Sequence, residues 1–89
     1  MTIVVEKTDE TTFKVTVTAG TTTTHTVTVS ADVYEKLTGG AVPAETLVEK
    51  SFEFLLARES NTSILSRFDL PVISRYFPEY ESKIRGMLR

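Results

Sequence analysis

The sequence has no cysteine, no tryptophan and a single histidine, His25. Without cysteine there is neither a disulfide framework nor a thiolate metal site, a composition suited to a reducing cytoplasm, where we expect the protein to reside. One histidine leaves only carboxylates as further metal ligands, and Glu45, Glu49 and Glu53, spaced i, i+4 and i+8, read as the wet face of a helix. No metal and no cofactor are expected. No apolar run approaches the roughly 20 residues that span a bilayer, so no membrane association is expected. The opening "MTIVVEKTDE" has no basic region followed by an apolar stretch and does not read as a secretory signal. Positive charge is also scarce. Ten Lys and Arg face twelve Asp and Glu, for a net charge of −2. A protein that displaces counterions from phosphates carries a basic stripe, so nucleic acid is not an expected partner.

Catalytic chemistry finds little to work with. A dyad built on His25 needs a nucleophile and an orienting acid, and nothing in the sequence sets Ser30 or Asp9 beside it. His25 reads instead as a residue at a sheet margin, structural or solvated. Gly39-Gly40 lacks the G-x-x-x-x-G-K-[ST] pattern of a phosphate loop and is expected to end a helix. We therefore assign no catalytic residue and expect the protein not to be an enzyme.

What is abundant is threonine. Residues 2–30 hold twelve of them, interleaved with valine. In "FKVTVTA", Phe13, Val15, Val17 and Ala19 alternate with Lys14, Thr16 and Thr18. "HTVTVS" repeats the alternation, and "TIVVEK" reads as a further strand. Period-two patterning of β-branched residues predicts strands with one dry and one wet face. Cross-strand partners share a face, so paired residue numbers must sum to an even value such as 42. That parity predicts an odd-length loop around Gly20–Thr22, or a bulge. A three-stranded antiparallel meander over residues 1–30, second strand central, is expected.

From Ser30 onwards the period changes. "SADVYEKLTGG" predicts a short helix capped by Ser30 and stopped at Gly39-Gly40. Pro43 then opens "AETLVEKSFEFLLARE". On that second helix Leu47, Val48, Ser51, Phe54 and Leu55 form one face, and Phe52 and Leu56 widen the apolar arc to about 200°, against the roughly 100° of an ordinary surface helix. It has to be covered on two sides. The Phe52 and Leu56 flank is expected to lie beyond the reach of the sheet, covered for the most part by the helices of residues 62–88, the alternative being that it meets a second copy. "NTSILSRF" is expected to be a capped helix showing Ile64, Leu65 and Phe68. Asp69 would cap the next helix, with Pro71 in its first turn, and Pro78 would open the last one, where Tyr80, Ile84, Met87 and Leu88 recur at helical spacing.

The stretch "RFDLPVISRYFPEY", residues 67–80, holds four of the eight aromatic residues. Its aromatics fall at helical core positions and read first as packing. Arg75, Tyr76, Tyr80 and Met87 are the candidates for an exposed interface, since arginine beside tyrosine is common where proteins meet. Leu56→Asp is then expected to unfold the chain, and Tyr80→Asp to leave it folded.

The run "SFEFLLARESNTSILSRFDLPVISRYFPEYESKI", about residues 51–84, resembles a small prokaryotic family of short proteins with no established activity, so the resemblance implies no site residues. A looser likeness is to ribbon-helix-helix repressors: "HTVTVSADVYEKL" followed by "PAETLVEKSFEFLL" has their strand, helix, helix order. It departs from them in a first helix about one turn too short and a strand with no Lys, Arg, Asn or Gln to read base edges. A meander would also cover the edge those dimers pair through.

The sequence as a whole predicts one α+β domain over residues 1–89, the meander of residues 1–30 followed by a helical half, residues 31–89, of four to five short helices. Its expected function is a small non-enzymatic interaction module that self-associates as a homodimer or docks a protein partner. The alternative is a ribbon-helix-helix-like DNA-binding regulator or antitoxin.

Overall fold

Alternation and breaker residues place the elements almost where the sequence predicts them. The computed structural model describes all of residues 1–89 and contains β1 (Thr2–Lys7), β2 (Thr12–Ala19), β3 (Thr21–Thr28), α1 (Ala31–Thr38), α2 (Ala44–Leu56), a 3-10 turn (Asn61–Ser63), β4 (Arg67–Asp69), α3 (Val72–Tyr76) and α4 (Tyr80–Met87). β1, β2 and β3 form the antiparallel meander. Phe13 pairs with Val27, Val15 with His25, and Val17 with Thr23, so paired numbers sum to 40, an even value. Thr18 pairs with Thr22 and Ala19 with Thr21, so the connection is odd in length, and Gly20 sits alone at its apex with φ +83°, a conformation that glycine adopts without strain. Ile3 and Val5 extend the dry face on β1, opposite Val17 and Val15.

The first helix ends as its sequence dictates. Ser30 Oγ accepts from the Val33 amide at 3.2 Å, and Gly39 closes the helix in the left-handed region at φ +63°.

Residues 61–69 depart from the expectation of a helix. Only a single 3-10 turn forms, Ile64 is extended, and Arg67–Asp69 join the sheet as a fourth strand, parallel to β3. The sheet order is β1-β2-β3-β4, so residues 31–89 are not purely helical and β3 is an interior strand. The physical cause is the edge that a three-stranded meander leaves open. The amide of Thr26 and the carbonyl of Thr28 lie beside the core and need partners. Ser66 O accepts from the Thr26 amide at 2.8 Å, and the Leu70 amide donates to Thr28 O at 3.0 Å. The segment also has little to gain as helix. Ser60, Thr62 and Ser63 bond one another through their hydroxyls, the local competition that makes such residues poor helix formers.

α2 is the ridge on which both layers meet. Leu47, Val48, Ser51, Phe52, Phe54 and Leu55 are buried, an arc of about 160° at 100° per residue. The Phe52 side packs on the sheet, its ring centroid 5.3 Å from His25 and 6.1 Å from Phe68. The expectation that the sheet cannot reach this flank is corrected by β4, which brings Phe68 to it. The Phe54 side is covered instead by the C-terminal segment, edge-on to Tyr80 at 5.3 Å and to Phe77 at 5.8 Å. Burying each of these rings contributes roughly 2–3 kcal/mol. Leu56, at the end of the arc, is half-buried. Seventeen buried apolar residues from the sheet and the helices form one continuous core.

Tyr80 belongs to that core, which corrects its placement at an exposed interface. It is fully buried at the start of α4. Ser51, the one polar side chain in the buried arc of α2, donates to Leu47 O at 2.7 Å. Its lone pairs are then free to accept the Tyr80 hydroxyl at 2.6 Å. A buried phenol needs such a partner, and Ser51 supplies it to Tyr80.

Burial, partly offset by the Ser51 hydrogen bond and reinforced by Glu81, holds the Tyr80 phenol well above its ordinary value near 10. The unfolded phenol ionises first as pH rises, so this contribution to stability is intact below about pH 10 and is lost above it. Urea titrations of wild type and Tyr80→Phe check this. At pH 7 the variant is expected to be about 1 kcal/mol less stable. Above pH 10 the two curves are expected to converge, and a constant gap would contradict the assignment. Tyr80→Asp, with a carboxylate in the core, is expected to unfold the chain.

Candidate interaction site

The segment between α2 and α3 is pinned to the sheet by a directed chain of hydrogen bonds. Leu65 O can only accept, so the His25 Nδ1 that lies 2.8 Å from it carries the proton. Nε2, on the other side of the ring, is hydrogen-bonded to the Thr23 hydroxyl at 2.8 Å. Thr23 Oγ1 in turn accepts from Asn61 Nδ2 at 3.1 Å, and the same amide donates to Thr21 O at 2.8 Å. His25 and Asn61 are both buried. His25 is therefore not at a margin: its ring lies inside the sheet's dry face, and both nitrogens are committed to structure.

This anchoring has a consequence for Leu65. Its carbonyl is turned inward to His25, while its side chain remains 47% exposed. Ile64 before it is buried. The result is an open apolar groove of about 170 Å³ between the end of α2, the anchored segment, β4 and α3. Buried Leu55, Ile64, Phe68 and Ile73 line it, together with the more accessible Leu65, Val72, Tyr76 and Phe77. Glu59 and Ser63 are its only polar lining. Tyr76 stands 67% exposed.

Behind the groove, Arg58 fixes the turn out of α2. Its guanidinium carbon sits 3.6 Å from the Phe54 ring centroid, Nη1 donates to Phe54 O at 3.0 Å, and Nε reaches Glu79 at 3.4 Å.

Of the four residues expected at an interface, the structure brings two together here. Arg75 and Tyr76 are adjacent and exposed on α3, and Tyr76 lines the groove. Met87 is half-buried on α4 and packs against the core, and Tyr80 is inside it. Sequence reasoning missed Leu65 and the β4 edge. The signal was an alternation in "ILSRFDL", interrupted only at exposed Ser66, where Ile64, Phe68 and Leu70 are buried while Leu65, Arg67 and Asp69 are exposed. No group of three or more His, Cys, Asp or Glu side chains is close enough to hold a metal ion, and no helix is long and apolar enough to cross a membrane. Neither a family model, nor a curated protein, nor a solved structure matches the chain.

His25→Phe tests the anchoring role, because it keeps an apolar ring against Phe52 while stripping both hydrogen bonds. Leu65 O and the Thr23 hydroxyl lose a buried partner, at an expected cost of about 2–4 kcal/mol. Hydrogen exchange localises the effect. The Thr26 amide, which is bonded to Ser66 O, is expected to exchange faster relative to global unfolding. An unchanged urea midpoint and unchanged Thr26 protection would show that the chain of bonds anchors nothing.

Proposed function

We propose that the protein is a small non-enzymatic interaction module that acts through the groove beside α3, docking a protein partner or a second copy of itself. The observation that carries this reading is the pair of exposed apolar side chains, Leu65 and Tyr76, at the mouth of a groove whose lining is otherwise almost wholly hydrophobic. Exposed patches rimmed by polar residues are where soluble proteins meet partners, and Arg75 beside Tyr76 supplies the residue pair enriched at hot spots. A non-enzymatic role is supported by His25, whose two ring nitrogens are spent on Thr23 and Leu65.

The ribbon-helix-helix alternative loses support. β3, the strand that would enter the major groove, is flanked by β2 and β4, so neither of its edges is free to pair with a second copy. We place the protein in the cytoplasm because it lacks cysteine. The resemblance of residues 51–84 to a small prokaryotic family adds no activity to this reading.

A photo-crosslinking residue at position 76, compared with one at Thr24 on the wet face of the sheet, tests the proposal in the native host. A discrete adduct from position 76, to the protein itself or to one other protein, and none from position 24 is the expected result. No adduct from position 76, or the same smear from both, would overturn it.

A further inference from the structure

The free edge of β4 carries a pattern that fits a copy of itself. Because the Thr26 amide bonds Ser66 O and the Leu70 amide bonds Thr28 O, the even-numbered residues of this segment turn their backbone groups towards β3. Arg67 and Asp69 therefore turn theirs outward, two amides and two carbonyls without a strand beside them. Both side chains are exposed on the wet face. Neither takes part in the chain's ion pairs, which are Lys36–Glu81, Lys50–Glu53 and Arg58–Glu79. Proteins commonly blunt an edge strand with charge. Here the two charges are opposite in sign and placed symmetrically about Phe68.

We propose that the protein forms a homodimer through antiparallel pairing of β4 with β4 of a second copy, the twofold axis passing at Phe68, so that the two sheets become one of eight strands. The inference rests on the reading of the protein as an interaction module and commits the partner to a second copy. Two independent requirements select the same register. Arg67 opposite the partner's Asp69 is a hydrogen-bonded pair that exchanges both N–H···O bonds, and its twofold mate repeats it, so all four outward backbone groups are satisfied. The same register sets guanidinium against carboxylate twice on the wet face. A two-residue shift would place Arg67 against Arg67, or Asp69 against Asp69, on the axis. A one-residue slip would oppose the dry face of one copy to the wet face of the other. The interface is isologous and closes on itself. Phe68 also lines the groove that Leu65 and Tyr76 border, so the apolar surface adjoins this edge. At the other end of the sheet β1 has no such symmetry: Glu6 and Lys7 are consecutive and fall on opposite faces.

The test uses charge reversal on the full chain, with mass read by sedimentation and light scattering from about 1 μM to about 1 mM. Wild type is expected to pass from monomer to dimer in this range. Arg67→Asp and Asp69→Arg, taken singly, each set like charges opposite at both positions and are expected to weaken the dimer roughly tenfold or more. Mixed one to one, the two variants restore opposite charges at both positions and are expected to form a heterodimer near wild-type strength. Unchanged circular dichroism and urea midpoints verify that both variants fold. A wild type that stays monomeric throughout, single variants that dimerise like wild type, or a mixture that stays monomeric would each overturn the proposal. A monomeric wild type that still gives a discrete heterologous adduct from position 76 overturns this inference alone. One that gives no adduct overturns the interaction reading as well.

Discussion

The structure depends on how one sheet edge is closed. A meander that ended at β3 would leave the Thr26 amide and Thr28 carbonyl unpaired beside a core of valine and phenylalanine, and buried backbone groups are costly without partners. Ser66 and Leu70 supply them. Drawing the segment back to the sheet brings Phe68 against Phe52, turns Leu65 O to His25, and starts α3 next to the end of α2. The groove, its exposed leucine and the outward groups of β4 all follow from that return.

α2 carries the other half of the construction. Its apolar arc is too wide for one layer, and the chain covers it from two directions: β3 and β4 take the Phe52 side, and α4 with Phe77 takes the Phe54 side. Ser51 sits between the two and chooses Tyr80 as its partner, which fixes how α4 lies on α2. Two polar contacts, Ser51–Tyr80 and His25–Leu65, thus set the positions of segments that hydrophobic burial alone would hold with less orientation. Buried polar pairs of this kind add modest net stability but constrain geometry, because breaking either leaves an unsatisfied group.

The meander was legible because its alternation has only one period that fits, and parity narrowed the turn at Gly20 to an odd loop or a bulge, of which the structure has the odd loop. α1 was legible from Ser30 and Gly39, whose roles are local. Residues 61–70 were not, for a reason contained in their spacing. Ile64 and Phe68 are four apart, which is about one turn of helix and also two pleats of a strand. Leu65 and Leu70 break the tie, one exposed and one buried as a strand requires, but that distinction depends on β3, some 40 residues earlier in the chain. Tyr80 was misplaced although its spacing fitted a buried helix face, because the partner that lets its hydroxyl be buried, Ser51, lies in another helix. Of the candidate site, Arg75 and Tyr76 could be read from an arginine and a tyrosine side by side in an aromatic-rich segment. Leu65 could not, since its exposure is set by where its carbonyl points.

The groove, the anchored segment and the open edge all therefore depend on residues 66–70 running parallel to β3. Scalar couplings across hydrogen bonds, measured by NMR on uniformly labelled protein, test it without reference to any partner. The structure predicts couplings from the Thr26 amide nitrogen to the Ser66 carbonyl carbon and from the Leu70 nitrogen to the Thr28 carbonyl carbon. A coupling from the Phe68 nitrogen to the Ile64 carbonyl carbon, with neither of these two present, would mean that the segment is a helix and would contradict the account.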